Sequence, residues 1–85
     1  MNLTGTVGPD WLRKHGITTA ISDALLRDWR DHLEDALRRE LSLDADLSLS
    51  TKTVFRFLVR SETHTVVEIE SFARRELDNF LAKQQ

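Results

Sequence analysis

Apolar positions along the chain change period, and each change marks an element. Between Thr18 and Leu41 they fall at Ile21, Leu25, Trp29, Leu33, Leu37 and Leu41, every fourth residue, widened by Ala24, Leu26 and Ala36. This spacing predicts a long amphipathic helix. Thr18 or Thr19 is placed to cap its first turn, and the acid-before-base pairs Asp23 with Arg27, Glu34 with Arg38 and Asp35 with Arg39 lace its outer side. Steps of four overshoot the 3.6-residue turn, so the stripe drifts round the axis and the helix is expected to cross its partners obliquely. Ahead of it, Pro9 suits a first helical position and Gly16 a left-handed stop, which brackets a short helix with Trp11 and Leu12 inward. Residues 1–8, with Leu3 and Val7 alternating among Thr and Gly, fit either an edge strand or a loose arm.

Beyond Leu41, "SLDADLSLS" reads as a loop entering a strand, and the period becomes two. Odd positions run Leu47, Leu49, Thr51, Thr53, Phe55, Phe57, Val59; even ones run Ser48, Ser50, Lys52, Val54, Arg56, Leu58, Arg60. The alternation resumes at Thr65, Val67 and Ile69 against His64, Val66, Glu68 and Glu70. An antiparallel register with Val59 opposite Thr65, Phe57 opposite Val67 and Phe55 opposite Ile69 sets Leu58 against Val66, Arg56 against Glu68 and Arg60 against His64. It leaves Ser61, Glu62 and Thr63 as a three-residue loop without the glycine such loops favour. From Ser71, a residue type suited to an N-cap, a second amphipathic helix carries Ala73, Leu77, Phe80 and Leu81 inward, with Lys83 near its negative end.

The expected class is α+β: short helix, long amphipathic helix, antiparallel β-hairpin (about 51–60 and 64–70) and C-terminal helix, with a possible extra N-terminal strand, in one domain spanning residues 1–85. The helices are expected on the face of Phe55, Phe57, Val59, Val67 and Ile69. With the extra strand counted, the order βααββα is similar to that of KH domains. The Gly-x-x-Gly loop of that family is missing, because Gly16 is followed by "ITTA", so nothing is carried over from it.

The stretch "LSLSTKTVFRFL", residues 47–58, offers a rival reading. Leu47, Ser50, Thr53, Val54, Arg56 and Leu58 match the turn and recognition helix of helix-turn-helix regulators, which the segment resembles over twelve residues. The resemblance implies a DNA-binding regulator with Ser50, Thr51, Lys52 and Arg56 facing the major groove or its phosphates. Ser48 stands where the turn glycine of that family belongs, and Asp44 and Asp46 bring charge close to where phosphates would lie.

Composition narrows the chemistry. Twelve basic against fourteen acidic residues leave a net charge of -2, too little to draw phosphate backbones from a distance. Without cysteine there is no disulfide, thiolate ligand or thiol redox chemistry. No basic and apolar leader opens the sequence and apolar runs are short, so a soluble, cytoplasmic protein is expected. His32 follows Asp28 by one turn, half a metal site at most; His15 and His64 are expected at exposed ends, and none has a nucleophile and orienting acid at a catalytic spacing. The carboxylate pairs Asp44 with Asp46 and Glu68 with Glu70 read as solvated charge, since a dyad needs a cleft. The expectation is therefore no enzyme, no cofactor and no metal. A chain of this size buries only roughly 60% of its unfolded surface, and a two-stranded hairpin leaves edges open. The function expected is a small non-enzymatic interaction or regulatory module (inhibitor, adaptor or subunit). It would meet another protein, or a second copy of itself, through a hairpin edge and an apolar patch of Val54, Leu58 and Val66 with Arg56 and Arg60 among them.

Overall fold

A computed structural model describes residues 1–18 and 20–84. The order is β1 (Asn2–Val7), α1 (Pro9–Lys14), α2 (Asp23–Glu40), β2 (Asp44–Thr51), β3 (Val54–Arg60) and α3 (Val66–Lys83). The fold is α+β: an antiparallel sheet in the order β1-β3-β2, with helices on one face.

The first strand is formed, and it pairs with β3, Leu3 opposite Val59, Gly5 opposite Phe57 and Val7 opposite Phe55. On its other side β3 pairs with β2, Ala45 opposite Val59, Leu47 opposite Phe57 and Leu49 opposite Phe55. The hairpin is thus β2–β3, turning at Lys52 and Thr53, and the expected strand over residues 64–70 is instead the start of α3. The physical reason lies in Thr65. Its hydroxyl accepts a hydrogen bond from the Glu68 amide at 3.2 Å, and Thr65-x-x-Glu68 has the sequence of a capping box, starting the helix at Val66, five residues before Ser71. The helix is then held by burial of Ile69, Phe72, Ala73, Leu77 and Phe80, a 3.6-residue period that outweighs the β preference of Val66 and Val67. Ser61, buried, accepts from the amides of Thr63 and His64 at 3.1 and 2.9 Å, so the supposed hairpin loop is a side-chain-braced entry into α3.

The hairpin turn takes no residue of positive φ, and a bulge between Leu49 and Thr51 absorbs the mismatch. The helical reading of residues 47–58 is likewise corrected, since these residues form two strands and the turn between them.

At α2, Ser22 is the cap, its Oγ accepting from the Leu25 amide at 3.1 Å; Thr18 lies ahead of the helix and Thr19 outside the described residues. The drift of the stripe shows in its burial. Leu26, Trp29, Leu33, Ala36 and Leu37 are buried, while Ile21, Leu25 and Leu41 at the two ends are only partly covered. Trp29 is the hub of the core, edge-on to Phe55 at 5.3 Å and tilted against Trp11 at 5.7 Å. α1 runs from Pro9 to Lys14, and Gly16 adopts φ 75° after it, as its position foretold. Ser42 adopts φ 54° between α2 and β2, and the Leu43 amide turns back to the Leu37 carbonyl at 3.2 Å. No helix among the described residues is long and apolar enough to cross a membrane.

Candidate interaction surface

Side chains alternate across the sheet, so the residues facing the helices fix which ones face away. Thr4, Leu58 and Asp46 form one row of the outward face, Thr6, Arg56 and Ser48 a second, and Asn2, Arg60 and Asp44 a third. No element among the described residues packs over this face: Thr4, Thr6, Asp46, Ser48, Arg56 and Arg60 are exposed, and Val54 and Leu58 are half-covered. A shallow hollow of about 240 Å³ lies across it, lined by Thr4, Asp46, Ser48, Arg56, Phe57 and Leu58. Arg60 reaches Asp44 at 2.8 Å, so its partner is an acid on β2, not His64. Arg56 stands between Thr6 and Ser48, and Glu68 belongs to the α3 cap.

Of the residues expected to form an interaction patch, the structure therefore gathers Val54, Leu58, Arg56 and Arg60 on one face of β3. Val66 is not among them. It sits in the first turn of α3, packed against the core, because the strand that would have brought it opposite Leu58 is a helix. Ser50 and Thr51 lie in β2 and Lys52 in the turn, all exposed.

The two edges of the sheet are treated differently. In an antiparallel ladder both backbone groups of a residue point to the same side. The Ser61 amide donates to the Met1 carbonyl at 3.0 Å in register with β1–β3, so odd residues of β1 bond to β3 and Asn2, Thr4 and Thr6 point their amides and carbonyls away from the sheet. On β2 the outward-pointing residues are Ala45 and Leu47. There α2 reaches over: Arg30 donates to the Leu47 carbonyl at 3.1 Å, Glu34 accepts from the Leu47 amide at 3.2 Å, and Arg38 donates to the Ala45 carbonyl at 2.8 Å. Three side chains at four-residue spacing take the place of a neighbouring strand. Glu34 and Arg38 also pair with each other at 2.9 Å. The outward backbone of Asn2, Thr4 and Thr6 meets no such group among the described residues.

Two histidines meet glutamates. His15 stacks on Trp11, ring centroids 4.0 Å apart, and its Nε2 lies 3.1 Å from Glu70, which also accepts from the Trp11 indole N–H at 3.1 Å. His32 Nε2 lies 3.2 Å from Glu76, a buried carboxylate on the inner stripe of α3. The first pair ties the end of α1 to α3 and the second ties α2 to α3, both at the margin of the core. His64 is half-buried, its Nδ1 3.0 Å from the Thr63 hydroxyl and 3.3 Å from that of Ser61, rather than standing free at a hairpin tip. No group of three or more His, Asp or Glu side chains able to hold a metal ion is found among the described residues.

The fold and this surface define a small α+β domain with one helix-covered sheet face and one bare face. No family model matches the chain, and comparisons with curated proteins and with solved structures return no match.

Proposed function

We propose that the protein is a small non-enzymatic interaction module, of the inhibitor, adaptor or subunit kind, and that its sheet is the part that meets a protein partner. One observation carries the reading: the bare sheet face and the bare β1 edge adjoin, while the opposite edge is closed by Arg30, Glu34 and Arg38. Unpaired strand backbone is a template for another chain, and proteins that do not use such an edge ordinarily block it. Leu58 and Val54, set among Arg56, Arg60 and the β1 threonines, supply the modest apolar contact a partner can cover.

Photo-cross-linking tests this. A benzophenone amino acid at position 58 or position 4 is expected to give discrete protein adducts that an Arg56→Glu change diminishes, while the same probe at Lys83, on the far end of α3, gives none. Equal adducts from all three positions, or none from either sheet position, would overturn the reading.

A further inference from the structure

We infer that the partner on the β1 edge is a second copy of this chain, joined by antiparallel pairing of β1 with β1 about Thr4. The inference rests on the interaction reading above and names its occupant. Three observations carry it. First, Asn2 to Gly8 holds no charged residue, so a two-fold pairing sets no like charges against each other. Thr4 would lie against the second copy's Thr4, and Asn2 against the second copy's Thr6. These are the residues whose backbone groups point outward, so the pairing forms a continuous ladder.

Second, the inner side leaves room beside the edge. Gly5 is bare because Phe57 folds over it: a Cβ there would lie 2.3 Å from the Phe57 Cζ. Beside it is a hollow of about 280 Å³ whose walls include Gly5, Trp11, Phe57 and Glu70. In the Thr4-centred register the second copy's Leu3 comes opposite Gly5. The second copy's Met1, 66% exposed in the single chain, comes opposite Val7 beside that hollow.

Third, the assembly closes. Joining the two β1 strands gives a six-stranded sheet whose outermost strands are both β2, each guarded by its own Arg30, Glu34 and Arg38, so association stops at two. A standard interface takes about 800 Å² from each partner. One six-residue edge offers less, so the dimer belongs to the weak, concentration-dependent class.

Sedimentation equilibrium of the full chain tests this with three variants. The unaltered chain is expected to rise with concentration from its 9.8 kDa mass toward twice that value. Thr4→Pro, which removes an amide used only by the second copy, is expected to stay monomeric at those concentrations with an unchanged circular dichroism spectrum. Thr4→Lys and Thr4→Glu are each expected to be weakened, and their equimolar mixture to recover the dimer, because position 4 faces itself. A monomer at all concentrations up to millimolar, a dimer that survives in folded Thr4→Pro, or a mixture no tighter than its components would overturn the inference. Should Thr4→Pro unfold, the charge-swap mixture decides. Adducts from position 58 to a different protein, beside a monomeric chain, would overturn the second copy and leave the interaction reading standing; loss of both would end both.

Discussion

β1 and β2 flank the same central strand, and each presents a row of backbone amides and carbonyls away from it. On β2 that row is occupied: Arg30, Glu34 and Arg38 of α2 bond to Leu47 and Ala45, and Asp44 and Asp46 add charge along the strand. On β1 the corresponding row, at Asn2, Thr4 and Thr6, meets nothing among the described residues, and the strand is uncharged. Guarding an edge in this manner takes a long helix alongside it, with polar side chains at the right spacing on the flank between its buried and exposed sides. α2 has the length; α1, beside β1, spans six residues and carries Trp11 into the core instead. An edge can thus be closed without a strand, by side chains alone, and leaving the other edge open is a property of this sequence rather than a necessity of three-stranded sheets.

Gly5→Ala should have the largest effect, destabilising by about 2–3 kcal/mol as the new Cβ drives the Phe57 ring out of the core. Urea unfolding measures it, with a lowered midpoint at constant slope. Glu34→Ala strips the acceptor from the Leu47 amide and the partner from Arg38, and should cost about 1–2 kcal/mol. Light scattering should also show it associating more readily than the unaltered chain, since the second edge is then exposed. Ser42→Gly removes a side chain from a left-handed backbone position in the connection that delivers β2 to α2, and should stabilise by about 1 kcal/mol. A thermal melt raised by about 4–8 °C is the corresponding reading for a chain of this size. Arg60→Ala breaks an ion pair with Asp44 on the open face, where both side chains are more than half exposed, and should change stability by less than about 0.5 kcal/mol.

Much of the fold was legible in the sequence because it rests on local signals. The stripe from Leu25 to Leu37, Pro9 and Gly16 around α1, and the period of two from Leu47 to Val59 each announce an element without reference to the rest. What misled was β3. Its residues alternate so regularly that chemically sensible partners exist on either side. Phe57 opposite Val67 with Arg56 opposite Glu68 satisfies the same rules as the observed Phe57 opposite Leu47 with Arg60 opposite Asp44. The deciding signals lay in the flanking segments. Thr65-x-x-Glu68 marks a helix start, and Ile69, Phe72, Ala73, Leu77 and Phe80 carry the helical period, but four β-branched residues from Thr65 to Ile69 masked it. "SLDADLSLS" alternates Leu43, Ala45, Leu47 and Leu49 against polar residues, a strand that reads as a loop only while its two aspartates are given more weight than its period. Of the candidate surface, Leu58, Val54, Arg56 and Arg60 follow from the pleat of β3 alone. Val66 failed with the strand that carried it. The guard formed by Arg30, Glu34 and Arg38 is visible in the sequence as a spacing, yet its target depends on how α2 lies against β2, which no local pattern encodes.

Amide hydrogen exchange resolved by residue, on a sample dilute enough to be monomeric, tests the contrast between the edges most directly. Thr4 and Thr6 are expected to exchange close to the rate of an unstructured peptide while Leu47, held by Glu34, is slowed with its neighbours in the sheet. Protection of Thr4 and Thr6 equal to that of Leu47 in the dilute chain, or free exchange at Leu47, would contradict it.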